Sequence, residues 1–370
     1  MTNTLPTVYL HIGHSKTGTS AIQNLFTLNR DTLQTMGICY PDHRDVREAE
    51  AGKISSGNIL WRSGDVTALA EEILDNLKRN PGYARYVFSS EYMFLPFLDV
   101  LPLLLNARHE YRLAILLAVR EPMEMLASYY SQVVKRHGFF GEIEEIVDHQ
   151  TFLLHASNVL QACTSEAVAV HVFNYSMLRS KITECIFEAI GVDWSELSEF
   201  GGNENRIVNR SLTHEETKLI KALNKGLGAD IGSLCSDALV ERHPDIPAEA
   251  EPIPPKIAAA FAARNMDAAN LINAFLPAGH ELRPDRAATG HDATFAPLSS
   301  CQLETVCEVL KPFVTRVDVE KLLEDRRRLQ EDLQQAREEI NLLSGDLKHA
   351  RKYPWKYVRQ AAAMRLRTPD

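Results

Sequence analysis

The segment VYLHIGHSKTGTSAIQNLF, residues 8–26, constrains the fold more than any other part of the chain. An apolar run leads directly into the polar turn HSKTGTS, and an apolar-periodic segment follows it. This order predicts a buried strand, a tight turn and a helix. A helix N-terminus presents free backbone N–H groups and the positive end of the helix dipole, and Gly13 and Gly18 let the backbone approach a ligand closely. We therefore expect the turn to bind an anion.

Strand-like and helical segments alternate from residue 8 to about residue 315. Four apolar runs predict strands: TVYLHIG, YARYVFSSE, YRLAILLAVREP and AVAVHVFNYSML. Helical periodicity predicts helices in SAIQNLFTLNRDTLQTMG, DVTALAEEILDNLKRN and MEMLASYYSQVVKRHG, and helices alone after Thr213 and Pro254. The alternation predicts an α/β class, namely a P-loop-like three-layer fold with a central, mainly parallel sheet.

The lysine of the first turn is displaced from its place in an ATP-binding loop. Gly13 and Gly18 have the spacing of that loop, G-x-x-x-x-G-K-[ST], but Thr19 stands where its lysine belongs and Lys16 precedes the second glycine. A magnesium-dependent NTPase would also have a strand that ends in an aspartate. The candidate strands end instead in Glu91 and Arg120. A strand-end arginine suits a second anionic group better than a metal, although a small-molecule kinase or NTPase remains the alternative enzyme class.

Two motifs together resemble the sulfotransferase family. HIGHSKTGTSAIQ is similar to the family's 5′-phosphosulfate loop, and AVREPMEMLASYY is similar to its 3′-phosphate motif, with Arg120, Pro122 and Ser128 in the matching places. The resemblance covers about residues 8–275, where ENRIVNRSLTHEETKLIKALN and FAARNMDAANLINAFL look like segments of bacterial members that modify carbohydrates. Ser15 departs from the proline often found there. The resemblance implies 3′-phosphoadenosine 5′-phosphosulfate (PAPS) as the donor and no required metal.

The resemblance also implies roles for individual residues. Lys16 would stabilise the bridging oxygen as the sulfuryl group leaves. The groups implied to bind the PAPS phosphates are Lys16, Thr17, Gly18, Thr19 and Ser20 at the 5′ end, Arg120 and Ser128 at the 3′ end, and Arg206 and Arg210 in the loop GGNENRIVNRS. For the strand-end arginine the structural alternative is an ion pair with a nearby carboxylate, and for the loop arginines it is exposure to solvent.

Two residues are candidates for the general base. Glu91 follows an apolar strand, so we expect it at the carboxyl edge of the sheet, where partial burial would raise a carboxyl pKa towards the useful range. His43, in GICYPDHRD, has an ordinary pKa that already suits the role. Glu91 is the preferred candidate, with an ion pair to Lys16 or Arg120 as its alternative role, and His43 is otherwise a loop histidine.

Charge and cysteine content restrict the class of protein. The net charge of -9 argues against general nucleic-acid binding. Six scattered cysteines without a CxxC pair favour a reducing compartment over a disulfide framework or a zinc site. The first strand begins near Val8, which leaves little room for a signal peptide, and no apolar run approaches the roughly 20 residues of a membrane span. We expect a cytoplasmic protein.

The C-terminal part has a different pattern. From residue 322 apolar or core-type positions alternate in steps of four and three, at Leu322, Arg326, Leu329, Leu333, Ala336, Ile340, Leu343 and Leu347. This heptad seam predicts a homo-oligomeric coiled coil, with a single helix packed on the domain as the alternative. A basic tail follows, from Lys348 to Arg367 without an acidic residue, and it is either solvated or bound to an anionic membrane surface.

The predicted organisation is therefore a PAPS-dependent domain at residues 1–315, a coiled-coil helix at 316–350 and a basic tail at 351–370. The tail looks like those of bacterial enzymes that build surface glycans, which favours a glycan or glycolipid acceptor handled near the inner face of the membrane. The alternative outside enzymology is a non-catalytic, sulfotransferase-like scaffold assembled through its coiled coil.

Overall fold

An all-parallel sheet of five strands forms the centre of the structure. The computed structural model describes residues 5–14, 16–41, 57–59, 65–198, 210–247, 249–286, 295–313 and 316–352. The strand order is β2-β3-β1-β4-β5, for β1 Thr7–His11, β2 Ile38–Cys39, β3 Arg85–Ser89, β4 Arg112–Val119 and β5 Ala169–Asn174. The predicted α/β class with a mainly parallel sheet is confirmed.

Helices account for most of the remaining described residues. Their bounds are α1 Thr19–Leu28, α2 Arg30–Thr35, α3 Val66–Arg79, α4 Phe97–Leu105, α5 Pro122–His137, α6 Phe152–Ser165, α7 Tyr175–Leu178, α8 Ile182–Ala189, α9 Trp194–Ser198, α10 His214–Leu227, α11 Ala229–Arg242, α12 Pro255–Asn273, α13 Ser300–Leu310 and α14 Arg316–Lys352. Short 3-10 turns lie at Glu91–Met93, Ile143–Glu145 and Val147–His149.

Strand β4 shows why the sheet is covered on both faces. Its sequence RLAILLAV is apolar at every position after Arg112, and these seven residues are buried. Ile115 and Leu117 belong to one core cluster, and Leu116 and Ala118 belong to the other. Because successive side chains of a strand point to opposite faces, a run with no polar alternation requires an apolar layer on each side.

Strand order also fixes where a ligand can approach. After β1 the chain runs to β2 at one edge of the sheet, whereas β4 and β5 lie on the other side of β1. The carboxyl end of β1 is therefore a topological switch point, the place where open α/β sheets bind ligands. The segments that follow β1, β3, β4 and β5 all leave the sheet at this edge.

Two local features differ from the sequence prediction. The helix expected to run to Gly37 is divided at Asn29, whose side-chain amide donates to the Leu25 carbonyl at 3.0 Å. Asparagine competes in this way with the backbone bonds of a helix, which explains the break. The two-residue strand β2 was not predicted, because two residues are too short to show a periodicity.

The C-terminal residues form a separate unit. The chain divides into two compact units, Met1–Thr305 and Val306–Asp370, and α14 lies in the second. Leu322, Leu329, Leu333 and Ile340 on this helix are 54–68% exposed in the single chain. Self-association through this apolar seam remains a prediction, as do the predicted domain boundaries. Among the described residues, no helix has both the length and the apolar character needed to cross a bilayer.

Candidate functional site

The turn between β1 and α1 has an unusual backbone. Lys16 has a φ of 71° and Gly18, which caps α1, has a φ of 81°. A non-glycine residue in the left-handed region costs on the order of 1 kcal/mol, and such residues concentrate at functional sites. The buried hydroxyl of Thr17 donates to the His14 carbonyl at 2.7 Å and closes the turn. The fold therefore holds Lys16 in a conformation that it would not adopt freely.

Close contacts surround both glycines of the turn. A Cβ on Gly13 would lie 3.0 Å from the His11 ring and 3.1 Å from Cγ2 of Thr19. A Cβ on Gly18 would lie 2.9 Å from the ring of Tyr175, in addition to its positive φ. Gly18 has no side chain to cap α1, and the first turn of the helix carries no acidic residue. The helix N-terminus thus keeps the electropositive character that an anion requires.

Arg120 joins the two predicted motifs. Its Nη1 donates to the Lys16 carbonyl at 3.1 Å, a contact between residues 104 positions apart. Its Nε donates to Glu124 at 3.3 Å, and its guanidinium lies 5.5 Å from the ring centroid of Tyr175. Among the described residues these are the two hydrogen bonds of a side chain that has five N–H donors. Arg120 is therefore held in place at the loop and retains donors for a ligand.

Glu124 is an organising carboxylate that the sequence prediction missed. It lies one turn after Arg120 on α5 and accepts hydrogen bonds from Arg120, from Ser176 at 2.9 Å and from Arg179. Burial alone would raise the pKa of Glu124, but Arg179, Ser176 and Arg120 outweigh it and hold that pKa below its usual range. The i, i+4 spacing of Arg120 and Glu124 in the sequence could have predicted this pair. Arg120 therefore has the carboxylate partner that was predicted as its alternative role, in addition to its hydrogen bond to the Lys16 carbonyl.

The electrostatics of the loop act mainly on Lys16. Burial, followed by the positive charge of Lys135, lowers the pKa of the Lys16 ammonium to about 8, while Glu91 acts in the opposite direction. Lys135 lies on α5, is 8% exposed and has its Nζ 3.5 Å from Asp237. Lys16 is consequently a cation near neutral pH that gives up its proton more readily than an ordinary lysine.

Glu91 lies beside the loop, as predicted from its place after β3. It opens the 3-10 turn Glu91–Met93, and its Oε2 accepts a hydrogen bond from the Thr19 hydroxyl at 3.4 Å. Ser128 is half-buried on α5, and its hydroxyl has no hydrogen-bond partner in the described part of the chain. Ser20 is exposed at the start of α1. None of these three positions tests the functional role predicted for its residue.

The proposed phosphate contact of Arg210 does not agree with its position. This side chain forms a two-pronged ion pair with Glu216, at 2.7 Å for both bonds, and is 5% exposed. It also donates to the carbonyls of His243, Ser211 and Leu239. All five N–H groups of the guanidinium are thereby used within the protein. Arg210 is a structural residue, and we correct its assignment to the cofactor site. His43, Arg206 and Ser15 lie outside the described residues.

The two histidines that flank the turn have different surroundings. His11 is buried in β1, with Nδ1 2.7 Å from the Ser89 hydroxyl, and burial lowers its pKa to about 4. His14 is also buried, and its ring stacks on Phe152 at 5.4 Å and meets Phe94 edge-on at 5.3 Å. The described residues contain no group of three or more histidine, cysteine or acidic side chains that would hold a metal ion.

A small cleft, with a cavity volume of about 20 Å³, opens beside Arg120 and His14. Its walls come from α5, α6, α12 and the segment before α6, and they include Met125, Phe152 and Phe261. The cleft therefore adjoins both predicted motifs through side chains that belong to them. Sequence reasoning did not find it, because it combines residues that are far apart in the chain.

Comparison with known proteins gives distant likenesses among solved structures. No protein-family model matches the sequence, and no curated protein matches it significantly. The crystal structure of a sulfotransferase from Alicyclobacillus acidocaldarius is similar to 72% of this chain and 94% of its own, with 11% sequence identity and a TM-score of 0.37. A likeness at this level does not by itself show a shared fold or a shared activity.

Proposed function

We propose that this chain is a sulfotransferase that moves the sulfuryl group of PAPS to a hydroxyl or amine of an acceptor. The observation that carries the proposal is the hydrogen bond from Arg120 to the Lys16 carbonyl, which places two cationic motifs at one edge of the sheet. PAPS has anionic groups at both ends of its ribose. Two cations that follow adjacent strands suit such a ligand better than they suit a single phosphate.

Each motif has a proposed partner on the donor. Thr17, Gly18, Thr19 and Ser20, with the first N–H groups of α1, would bind the 5′-phosphate. Arg120 and Ser128 would bind the 3′-phosphate, since the guanidinium retains N–H donors and the Ser128 hydroxyl lacks a partner among the described residues. These assignments rest on the contacts within the loop and on the resemblance of the two motifs to those of the family.

The chemical step requires a cation, an aligned acceptor and a base. The acceptor oxygen forms a new bond to sulfur while the bond from sulfur to the phosphate oxygen breaks, and negative charge moves to the phosphate. Lys16 would stabilise that charge, and a pKa of about 8 allows it to share its proton with the leaving oxygen. The acceptor proton would pass to Glu91, the preferred base because it lies beside the loop, with His43 as the alternative.

One contact favours a second candidate, a magnesium-dependent nucleotide enzyme. Glu91 lies at the end of β3 and bonds the hydroxyl of Thr19 in the loop, close to where such an enzyme places a carboxylate for magnesium. The displaced lysine and the arginine after β4 do not fit this class. A scaffold without activity is the remaining alternative, and only turnover distinguishes it from a working enzyme.

Thermal unfolding with two nucleotide ligands, compared with buffer alone, separates the nucleotide classes. We expect adenosine 3′,5′-bisphosphate, the product of PAPS, to raise the Tm in the presence of EDTA, because ligands that bind the folded state stabilise it. A rise with ATP and magnesium but none with the bisphosphate would contradict the proposal. Transfer of radiolabelled sulfate from PAPS to a panel of glycans, glycolipids and simple alcohols then tests turnover.

We further propose, from the sequence alone, that the basic tail binds anionic membranes and brings the enzyme to a glycan or glycolipid acceptor at the inner face. Vesicles that contain phosphatidylserine should sediment the full chain but not a variant that ends at residue 350. Equal sedimentation of the two proteins would remove the tail from this role.

A further inference from the structure

Three hydrogen bonds end on one oxygen atom of the Glu124 side chain. This atom, Oε2, accepts from Nε of Arg120 at 3.3 Å, from the hydroxyl of Ser176 at 2.9 Å and from Nη2 of Arg179. Arg120 follows β4 directly, whereas the other two donors lie in α7 and in the residue after it. Glu124 therefore joins the strand-end arginine of the proposed donor site to α7.

The carboxylate and Arg120 are largely enclosed by the protein. The side chains of Glu124 and Arg120 are 18% and 15% exposed, whereas that of Arg179 is 55% exposed. Ion pairs that are shielded from water are stronger than surface pairs, which contribute about 0–1 kcal/mol. Although burial raises the pKa of Glu124, its three donors together lower it further, so the carboxylate is ionised at neutral pH. The pair between Glu124 and Arg120 is thus the stronger of its two ion pairs.

Helix α7 forms one wall of the turn between β1 and α1. The ring of Tyr175, its first residue, lies 2.9 Å from the place of a Cβ on Gly18, and the ring centroid is 5.5 Å from the Arg120 guanidinium. The Ser176 hydroxyl accepts from a backbone N–H at the start of α5 at 3.0 Å and donates to Glu124. A shift of α7 would consequently move the ring away from both the turn and the arginine.

We propose that Glu124 is a positioning residue of the donor site, which holds the Arg120 guanidinium directly and the Tyr175 ring through Ser176. The inference rests on the proposed function, because it concerns the affinity for adenosine 3′,5′-bisphosphate. The charge of Glu124 by itself opposes an anionic ligand. Two guanidinium groups neutralise this carboxylate at close range, so the repulsion is small and the loss of positioning dominates when Glu124 is replaced.

A double-mutant cycle on the full-length protein tests this inference. Isothermal titration calorimetry gives the Kd for adenosine 3′,5′-bisphosphate in the wild type, Glu124→Gln, Arg120→Ala and the double variant. Glu124→Gln keeps the size of the side chain and removes its charge, and we expect the Kd to rise about tenfold. In the Arg120→Ala background the same change should raise the Kd by less than about threefold, because the arginine that Glu124 positions is absent. A carboxylate with a purely structural role would have the same effect in both backgrounds.

Ser176→Ala tests the contact with α7 without a change of charge. It removes the hydroxyl that joins α7 to Glu124 and should raise the Kd about threefold. In the Glu124→Gln background it should cause no further rise, because the hydroxyl acts through the same carboxylate. Glu71→Gln replaces an exposed carboxylate on α3 and should bind the bisphosphate as the wild type does. If Glu124→Gln does not fold, Ser176→Ala decides alone.

The outcomes distinguish this inference from the proposed function. Equal or tighter binding by Glu124→Gln would overturn the inference, because repulsion would then outweigh positioning. A tenfold loss that persists in the Arg120→Ala background would overturn it as well, and so would an unchanged Kd in Ser176→Ala. In these three cases the wild-type protein binds the bisphosphate and the donor site stands. No binding by the wild-type protein would contradict the proposed function itself, and the inference would fail with it.

Discussion

At the scale of single residues, Lys16 combines a strained backbone with a lowered pKa. Its φ of 71° and the bond from Arg120 to its carbonyl fix the backbone, and burial with the charge of Lys135 lowers the pKa of its ammonium to about 8. The motif in the sequence predicted a lysine in an anion-binding turn. The pKa was not predictable, because it depends first on the burial of Lys16 and then on the charge of Lys135, which lies 119 residues away in sequence.

The pH dependence of the proposed reaction follows from that pKa. The group is charged below about pH 8 and loses its proton as the pH rises through that value, so kcat/KM should fall on the alkaline side with an apparent pKa near 8. Lys16→Arg, which stays charged, should move this limb to higher pH, and Lys16→Ala should lower kcat/KM by at least about 100-fold with an unchanged circular dichroism spectrum.

The exposed Lys78, on α3, provides the control, since Lys78→Ala should leave the profile as it is. Near-normal turnover of Lys16→Ala would remove this lysine from the chemistry. An alkaline limb that persists unchanged in Lys16→Arg would assign it to another group.

Arg120 is the second residue whose role is measurable by itself. Arg120→Ala should weaken the binding of adenosine 3′,5′-bisphosphate by about 2 kcal/mol, roughly thirtyfold in Kd, because it removes charged hydrogen bonds to phosphate. Isothermal titration calorimetry measures the change. Arg79→Ala, an arginine exposed on α3, should bind normally. Unchanged affinity in Arg120→Ala would place the 3′-phosphate elsewhere.

At the scale of elements, the sequence predicted the strands and helices that show a regular apolar pattern or a clear start and end signal. β4 is apolar at almost every position because both of its faces are covered, and α5 has Pro122 at its start and Gly138 at its end. The break at Asn29 and the strand β2 depend on single contacts that leave no periodic trace. At the site, strand-end residues such as Glu91 and Arg120 were predictable by the same logic, whereas Tyr175 contributes through packing between distant elements.

The start of α10 tests the structural assignment of Arg210. This helix begins with a capping box between Thr213 and Glu216, and the same glutamate accepts the buried guanidinium of Arg210. Arg210→Met should lower the free energy of unfolding by about 3 kcal/mol, because it leaves the Glu216 carboxylate buried without its cation. Urea unfolding measures the loss, and Lys218→Met on the exposed side of the helix should cause little change.

The Arg210→Met variant also distinguishes a structural role of Arg210 from a role in ligand binding. In the folded fraction of Arg210→Met, the Kd for adenosine 3′,5′-bisphosphate should equal that of the wild-type protein. A large loss of affinity without a loss of stability would restore Arg210 to the donor site and contradict the geometry.

At the scale of the whole molecule, the described residues of the proposed site belong to the unit Met1–Thr305, while the heptad seam belongs to Val306–Asp370. Composition argued against general nucleic-acid binding and favoured a reducing compartment. Both remain predictions, and neither depends on whether the chain associates with itself. Self-association is predicted from the seam alone. It was predictable only as far as its heptad pattern, since a single chain leaves the seam exposed.

The last prediction concerns self-association through α14. We propose that α14 associates with copies of itself, because isolated apolar seams at this spacing are buried by pairing. Leu329→Glu with Leu333→Glu places charges in the seam and should convert the oligomer to a monomer in light scattering after size exclusion, as should removal of residues 316–370. Gln335→Glu, a position outside the heptad seam of the same helix, should leave the mass unchanged. Binding of the bisphosphate should survive in the monomer. A wild-type chain that is monomeric at micromolar concentration would refute self-association through α14, and an oligomer that survives both seam charges would place the interface elsewhere.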